Sequence, residues 1–477
     1  MNKKFYITAS IPYVNARPHV GLALEFVQTN IIARYHRLLG EDVTSLSGAD
    51  ENALKNVQAA EKEGLPIQEF IDRNNVYFEK LAELLNAKFD IWQRGSDQKH
   101  HYPASQKLWN LCLKDIYKKK YKGLYCVGCE LFYEPEELNL DGECNEHPGK
   151  KLDEVEEENY FFALSKYQDQ IIKLIETNEL EIVPQERKNE VLSFVKSGLR
   201  DISVSRSNAR AKNWGVPVPG DPTQRIYVWF DALNVYQSGI GFGWNEDNYN
   251  QLWPADVHVI GKGITRFHAV YWPAFLLSAG LKLPKKLFVH GYYTVNGQKI
   301  SKTLGNGYDP VPILTKYGAD PLRYYCLAKT PVFADGDFTE DKFIEAYNSD
   351  LANGLGNLVA RVAKLCEKEN FEFKSDAWRF EEAPFAEVRK QLDKYKFNDA
   401  LSVVWTWIGR LDQTIEENKP WTLTSEKLKE RLDDYVNQIR RIATALAPFL
   451  PETSERILSQ FIGPTIKSGP LLFPRIK

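Results

Sequence analysis

Two short motifs, far apart in the 477-residue sequence, carry residue types that bind phosphate. His19-Val20-Gly21 follows a predicted strand and opens a predicted helix, where unpaired backbone N–H groups lie at the positive end of the helix. Such a junction suits phosphate, and Gly21 lets phosphate approach the backbone. Lys299-Ile300-Ser301-Lys302-Thr303 follows a predicted hairpin with a tight turn at Asn296-Gly297. Its two lysines can follow phosphate oxygens as they shift. Each motif alone has a plainer explanation, since an isolated His-x-Gly more often only caps a helix and isolated lysines are usually solvated.

A second group of residues has the spacing of a metal site. Two residues separate Cys126 from Cys129, and two separate Cys144 from His147. Three thiolates and an imidazole at this spacing are typical zinc ligands, and a site filled by four protein ligands is closed to water. The alternative is three unrelated thiols and a surface histidine. The remaining cysteines show no such pairing, so we predict a structural Zn²⁺ site.

The order of the predicted elements indicates a parallel sheet. Residues 5–11 form a predicted buried strand, a helix with apolar residues at helical spacing ends at Gly40, and residues 42–46 form a second strand. Strand–helix–strand order is typical of an α/β fold. A helical stretch is expected to continue to about Leu113. Sheet-like runs return at residues 226–230, 257–260 and 287–289.

Changes in residue pattern along the chain predict its domains. Short strands, turns and acidic runs distinguish an insertion, and an apolar stripe at helical spacing marks the carboxyl-terminal part as helical. We predict a Rossmann-like parallel-sheet catalytic domain with a zinc-bearing insertion, followed by an all-α helical bundle. The predicted segments are residues 1–113 and 216–295 for the two halves of the catalytic domain, 114–215 for the insertion, 296–345 for the lysine loop and linker, and 346–477 for the bundle.

Composition and charge exclude several classes of protein. Hydrophobic residues make up 43% and charged residues 26% of the chain, as in ordinary globular proteins. The formal net charge is −3, so any nucleic acid must be bound by local basic patches. No apolar stretch is long enough to span a bilayer or to form a signal-peptide core. A cytoplasmic protein without a membrane partner is expected.

The residues around these motifs resemble one family. Residues 19–22 resemble the His-Ile-Gly-His signature, and residues 299–303 the Lys-Met-Ser-Lys-Ser signature, of class I aminoacyl-tRNA synthetases. Further stretches resemble the methionyl-tRNA synthetases over nearly the whole chain, namely residues 12–15, 48–51, 228–232 and 290–297. The resemblance implies that methionine and ATP, with Mg²⁺, form methionyl-adenylate. The amino acid would then pass to the terminal adenosine of methionine tRNA, whose anticodon is CAU.

The resemblance also implies roles for individual residues. The catalytic residues would be His19, Lys299 and Lys302, and ATP would in addition contact Gly21, Glu25, Gly261 and Ser301. Methionine would lie among Ile11, Tyr13, Asp50, Trp229, Tyr236, Ile264 and His268. The chemistry is consistent, since a carboxylate pairs with the α-ammonium and aromatic faces suit a polarizable thioether. The alternatives are core packing for Trp229 and Ile264, and an exposed helix carboxylate for Glu25.

Three positions depart from the family pattern. Leu22 replaces the last signature histidine and removes one phosphate donor. Asn52 stands where the family has histidine. Gly263 stands where the family has an aspartate suited to ribose hydroxyls.

In the helical part, the resemblance implies that Asn357, Arg361 and Trp421 read the anticodon. Asn357 and Arg361 share one helix face, and a tryptophan is a platform on which single-stranded bases stack. For Trp421 alone, a buried core position is the alternative. The sequence ends shortly after the bundle, without the extra domain that dimerises some relatives, so a monomer is expected. Competing hypotheses are a non-catalytic tRNA-binding paralogue, motivated by Leu22 and Gly263, and a related nucleotidyltransferase that does not use tRNA.

Overall fold

The computed structural model describes residues 3–126, 131–133, 135–144, 149–300, 307–369, 371–374 and 376–477. Within these ranges the strands are β1 Lys4–Ala9, β2 Asp42–Ala49, β3 Ile91–Arg94, β4 Ile116–Cys126, β5 Leu131–Tyr133, β6 Asp153–Phe162, β7 Glu181–Val183, β8 Ile202–Ser203, β9 Ser205–Ser207, β10 Pro217–Val218, β11 Asp221–Ile226, β12 Val257–Gly261, β13 Lys286–His290, β14 Tyr293–Val295, β15 Gln298–Lys299 and β16 Gly336–Phe338.

The α-helices within the described ranges are α1 Val20–Leu38, α2 Leu54–Glu63, α3 Ile67–Leu84, α4 His101–Cys112, α5 Gln168–Glu176, α6 Gln185–Lys196, α7 Asn208–Ala211, α8 Val228–Leu233, α9 Val235–Ser238, α10 Glu246–Leu252, α11 Trp272–Ala279, α12 Val311–Tyr317, α13 Ala319–Tyr324, α14 Glu340–Ala346, α15 Asn357–Glu369, α16 Ala386–Leu392, α17 Phe397–Asn418, α18 Ser425–Leu446 and α19 Pro451–Phe461. Wider π-helical turns occur at Phe267–Tyr271, Tyr325–Lys329 and Tyr347–Gly356. Among the described residues, no helix is both long and apolar enough to cross a membrane.

A parallel sheet of six strands forms the centre of the molecule, in the order β3-β2-β1-β12-β13-β7. β1 lies inside this sheet, with Ile7 paired to Ser45 on one side and to Val257 on the other. From Phe5 to Ala9 the strand is buried, as expected when helices cover both faces of a parallel sheet. The predicted α/β fold is therefore confirmed.

Two local predictions about secondary structure were wrong. Residues 226–230 were expected to be a strand, but β11 ends at Ile226 and residues from Val228 onwards form α8. A short apolar run cannot be assigned to strand or buried helix from its periodicity alone. The stretch before Leu113 was expected to be helical, but it also contains β3, which has only four residues.

The insertion forms its own antiparallel sheet, in the order β5-β4-β6-β8. β4 and β6 are its long strands and pair from Ile116 opposite Phe162 to Tyr125 opposite Asp153. Two short strands from the same part of the chain behave differently. β7 joins the edge of the central sheet beside β13, and β9 pairs with β11 in a separate sheet. Residues 114–215 therefore contribute to three sheets.

The helical bundle shares a continuous apolar core with the α1 side of the central sheet. The predicted apolar stripe is buried at Leu351, Leu355, Leu358 and Val362. Arg323 on α13 is fully buried and donates to the backbone carbonyls of Phe449 and Pro448 and to Asn30 of α1. These hydrogen bonds tie the helix that begins beside His19 to the bundle.

Candidate active site

A cavity of about 1860 Å³ opens at the carboxyl ends of β1, β12 and β13. This edge is where open parallel sheets bind their ligands. Among its lining residues are Tyr13, His19, Gly21, Leu22, Glu25, Trp229, Gly261, Gly263, Ile264, His290 and Ile300. The structure therefore brings together residues predicted for ATP and residues predicted for methionine.

His19 is the residue that caps α1, and it also lines the cavity. Its Nδ1 accepts a hydrogen bond from the backbone N–H of Gly21, with 3.1 Å between the nitrogens. With Nδ1 as the acceptor, a neutral ring carries its proton on Nε2, which makes Nε2 a donor. A Cβ atom on Gly21 would lie 2.9 Å from Cε1 of His19, so a side chain there would displace the ring. The predicted capping alternative is thus real, but it fixes the tautomer that can donate to phosphate.

Glu25 is buried with only 5% of its surface exposed, so the exposed-carboxylate alternative is wrong. Its Oε1 accepts from the backbone N–H and the hydroxyl of Ser10. Its Oε2 lies 3.0 Å from Nε2 of His290, whose Nδ1 lies 2.7 Å from the carbonyl of Gly291. Both ring nitrogens of His290 face oxygen acceptors, so the ring links Glu25 to the carbonyl of Gly291. Sequence reasoning assigned no role to Ser10 or His290, although His290 lies in a stretch that resembles the family.

Aromatic residues form part of the cavity wall. Trp229 lies flat against Phe267, with 3.6 Å between ring centroids and 6° between planes. Trp229 is 8% exposed and lines the cavity together with Ile264, so these two residues form its wall as well as part of the core. Phe267 was not predicted from the sequence. It lies in the π-helical turn Phe267–Tyr271, which no sequence pattern predicted.

Tyr236 and His268 form a buried pair behind this wall. The Tyr236 hydroxyl lies 2.9 Å from Nε2 of His268, and Nδ1 of His268 lies 2.9 Å from the carbonyl of Ile264. Because a carbonyl only accepts, Nδ1 carries the proton and Nε2 accepts from the tyrosine. Burial lowers the pKa of His268 to about 4, so the ring is neutral at physiological pH. Burial also holds the pKa of the Tyr236 hydroxyl well above its usual value, so it remains a donor.

The remaining predicted methionine residues lie around the end of β2. Asp50 is 4% exposed and makes an isolated parallel bridge with Tyr13, and its N–H donates to the carbonyl of Pro12. Ile11 is half-buried and packs against the core on that side of the sheet. Among the described residues that line the cavity, Tyr13 is present, whereas Ile11, Asp50, Tyr236 and His268 lie just outside the lining.

The departure at Asn52 is built into a buried polar network. The amide nitrogen of Asn52 donates to the carbonyl of Gly95 at 2.7 Å and to Asp231 at 2.6 Å. The other carboxylate oxygen of Asp231 faces Nε2 of His101 at 2.8 Å and the hydroxyl of Ser105 at 2.7 Å. Asp231 is on α8 with Trp229, so the network ties the Asp50 loop to the helix that carries the tryptophan.

The described part of the lysine motif, Lys299 and Ile300, lies at the end of a hairpin, as predicted. β14 and β15 pair antiparallel, and Asn296 and Gly297 have φ angles of 52° and 72°, which make the tight turn. Ile300 reaches the cavity lining, and its Cδ1 lies 3.8 Å from the Cβ position of Gly21. Lys299, on β15, directly precedes Ile300 in the chain, while Ser301 and Lys302 lie outside the described residues.

Two of the four predicted zinc ligands are described, and their thiols converge. The sulfur atoms of Cys126 and Cys144 are 3.3 Å apart and buried. That is too far for a disulfide bond and is the distance of an S–H···S hydrogen bond or of two sulfur atoms that contact one ion. Cys129 and His147 lie outside the described residues, and within the described ranges no cluster of three metal-ligating side chains occurs.

Of the three predicted anticodon residues, Arg361 and Trp421 lie near the end of α17. Asn357 is exposed at the start of α15. Arg361 pairs with Asp412 and Glu416 of α17. Trp421 follows α17 in the next loop and is 52% exposed, so the buried alternative is wrong for this tryptophan.

The parallel sheet, with a His-x-Gly helix start and a lysine hairpin at one cavity, defines an α/β nucleotidyl-transfer site of the class I synthetase type. The family model "tRNA synthetases class I (M)" matches residues 5–154 and 149–363. A methionine–tRNA ligase of Thermotoga maritima is 41% identical over 95% of this chain and 74% of the relative. One of Brucella melitensis is 40% identical over 98% of this chain and 93% of the relative.

A solved structure agrees with these sequence comparisons. Mycobacterium tuberculosis methionyl-tRNA synthetase in complex with methionyl-adenylate superposes with a TM-score of 0.90, at 36% identity, covering 99% of this chain and 100% of that one. The chain belongs to the class I aminoacyl-tRNA synthetases, in the methionine–tRNA ligase family, and is an ATP-dependent enzyme of that family.

Proposed function

We propose that this chain activates methionine with ATP in the described cavity and then transfers it to the terminal adenosine of methionine tRNA. One observation carries the assignment of the site. His19 and Gly21, the aromatic wall at Trp229, and Ile300 at the end of the lysine hairpin all line a single cavity. Groups suited to phosphate and groups suited to a thioether side chain therefore line one cavity, which supports the proposal that the amino acid carboxylate and the α-phosphate meet there.

Activation is an in-line attack of the methionine carboxylate on the α-phosphate of ATP, with pyrophosphate as the leaving group. Such chemistry depends on positioning and on stabilising the developing charge. We assign this stabilisation to His19, Lys299 and Lys302, with Gly21, Gly261 and Ser301 beside the nucleotide. ATP enters as its magnesium complex, and the attacking carboxylate is already ionised, so no general base is required.

We propose that Glu25, which lines the cavity, has a positioning role in addition to the nucleotide contact that the resemblance implies. Its carboxylate is already shared by Ser10 and His290. We infer that it holds the end of β1 against the end of β13, so that the backbone beneath the adenosine keeps its place. It would therefore act on ATP both directly and through the groups that it positions.

Methionine binding is assigned to the aromatic side of the cavity. The thioether would lie against Trp229 and Tyr13, with Ile11 and Ile264 adding apolar surface. Asp50 would pair with the α-ammonium group. The neutral His268, held by Tyr236, would present no charge to the sulfur.

The remaining assignments concern tRNA and metal. Asn357, Arg361 and Trp421 would read the CAU anticodon, with Arg361 exchanging its carboxylate partners for a base edge. Cys126, Cys129, Cys144 and His147 would hold one structural Zn²⁺, which cross-links the insertion. We further propose that the enzyme is monomeric and acts in the cytoplasm, where tRNA is charged.

Direct isolation of the intermediate tests the proposal. The protein is incubated with methionine, magnesium–ATP and pyrophosphatase, and the complex is separated by gel filtration and examined by mass spectrometry. Methionyl-adenylate should be retained, and leucine or cysteine in place of methionine should give none. No adenylate with any amino acid would instead favour the paralogue without activity that Leu22 and Gly263 suggested.

A further inference from the structure

The hairpin that carries Lys299 is held on its other side by a strand from the linker to the bundle. β14 pairs antiparallel with β15 and parallel with β16, so it is the middle strand of three. In this register Thr294 lies opposite Lys299 on one side and opposite Asp337 on the other. Whatever fixes β16 therefore also fixes the hairpin.

The carboxylate of Asp337 binds both the hairpin strand and its turn. Oδ1 accepts from the hydroxyl of Thr294 and from the backbone N–H of Gly297, each at 2.7 Å. Oδ2 accepts from Nζ of Lys342 at 2.7 Å. These donors outweigh the effect of burial and hold the pKa of Asp337 below its usual value. One ionised side chain thus joins the strand, the turn and α14.

A second aspartate holds the base of the same hairpin. Asp335 accepts from the backbone N–H of Tyr292 at 2.9 Å and from Lys262 at 2.8 Å. The two acidic residues lie on either side of Gly336, so one binds the base of the hairpin and the other binds its turn. Asp337 is the residue that contacts the turn, two residues before Lys299.

Phe338, the residue after Asp337, packs β16 against the segment that contacts the start of α1. Phe338 is fully buried, and its ring centroid lies 4.8 Å from that of Tyr308. The carbonyl of Tyr308 accepts the backbone N–H of Val20, the first residue of α1, at 2.9 Å. The support of the lysine hairpin and the support of His19 are therefore one packed unit.

We propose that Asp337 is a positioning residue for adenylate formation: through Thr294, Gly297 and Lys342, it fixes the hairpin turn and hence the place of Lys299 against the phosphates. The inference rests on the assignment of Lys299 to the phosphate site. A misplacement of about 1 Å in a group that stabilises the transition state can cost roughly 10²-fold in rate. The methionine pocket is built from other elements and should not be disturbed.

A graded set of variants tests the role by methionine-dependent ATP–pyrophosphate exchange. Asp337→Ala removes all three contacts and should lower kcat by about 10- to 100-fold, with an unchanged KM for methionine. Thr294→Val and Lys342→Met each remove one contact and should have smaller effects. Asp337→Asn keeps an acceptor for Gly297 and loses the charge, so its kcat should be intermediate. Lys80→Met, which breaks a surface ion pair of the same 2.7 Å length, is the matched control and should leave kcat and KM unchanged.

A double variant separates positioning from general stability. If Asp337 acts through Lys299, Asp337→Ala should add little to the loss already caused by Lys299→Ala, because coupled residues are not additive. Trypsin should also cleave after Lys299 faster in Asp337→Ala than in the wild type.

Three results would overturn the inference. The first is a stably folded Asp337→Ala, or Asp337→Asn if the alanine variant does not fold, with wild-type kcat while Lys299→Ala is slow. The second is a fall in kcat that is fully additive with Lys299→Ala. The third is wild-type exchange in Lys299→Ala itself, which removes the premise and marks a failure of the proposed phosphate site.

Discussion

The hydroxyl of Tyr236 lies 2.9 Å from Nε2 of His268, deep behind the aromatic wall of the active-site cavity. Since Nδ1 of the same ring donates to the carbonyl of Ile264, one tautomer and one ring orientation are selected. The pair is buried on the side assigned to methionine and remains uncharged. Removal of the Tyr236 hydroxyl should therefore affect methionine binding.

Tyr236→Phe should raise the KM for methionine by about tenfold, because a buried acceptor left without its donor costs about 1–3 kcal/mol. The KM for ATP should stay near the wild-type value. Tyr249→Phe is a matched control, since it removes a buried tyrosine hydroxyl bonded to Gln237 at 2.6 Å, away from the cavity lining. Equal effects of the two substitutions on methionine KM would contradict a specific role for Tyr236.

His268 should make folding stability depend on pH. Burial lowers its pKa to about 4 in the folded protein, whereas an unfolded histidine titrates near about 6.5. Between these values the unfolded chain binds more protons, so the free energy of unfolding should fall as the pH falls through that window and be unaffected above it. This residue contributes at most about 1.4 kcal/mol per pH unit. The free energy of unfolding is measured by urea titration at several pH values between 5 and 7. Plotted against pH, it should have a shallower slope for His268→Gln than for the wild type. Identical slopes for the two proteins would contradict the prediction.

Trp421→Ala should weaken charging of methionine tRNA by about 10- to 100-fold, the effect of losing one base–aromatic stack. Pyrophosphate exchange should be almost unchanged, because the two steps use different parts of the chain. The control is Trp244→Ala, which removes a tryptophan that is 43% exposed in the catalytic part. A stable Trp421→Ala protein that charges tRNA at the wild-type rate would exclude the stacking role.

Freshly purified protein should contain about one zinc per chain, tetrahedral and without a water ligand. Cys144→Ser should lose the metal and expose the insertion to protease, since the small insertion depends on it. Cys366→Ser replaces a buried cysteine of the bundle and should retain the zinc. Protein that was never treated with chelator and still contains no zinc would refute the assignment.

Much of the fold followed from local sequence patterns. The strand before His19, the helix that ends shortly before Gly40 and the Asn296-Gly297 turn each have a periodicity or a backbone requirement that is visible in the sequence. α8 did not, because Val228–Leu233 is apolar throughout and is buried whether it forms a strand or a helix. β7 was also not predictable as part of the central sheet, since its pairing with β13 joins segments distant in sequence.

The active site was likewise predictable only in part from the sequence. His19, Trp229 and the lysine hairpin lie in motifs and were expected near one another. Phe267, which stacks on Trp229, and Asp337, which binds the hairpin turn, belong to no motif. Their importance comes from tertiary contacts, which a single sequence does not reveal.

The most direct test of the central claim is ATP–pyrophosphate exchange with a panel of amino acids. With magnesium and methionine present, the wild-type protein should exchange label between pyrophosphate and ATP. The exchange should be far slower with leucine or cysteine. Lys302→Ala should slow this exchange by about 10²-fold or more, the scale for losing one preorganised charge-stabilising group. Methionine affinity should change less. Wild-type protein that shows no methionine-dependent exchange at any magnesium concentration would contradict the account.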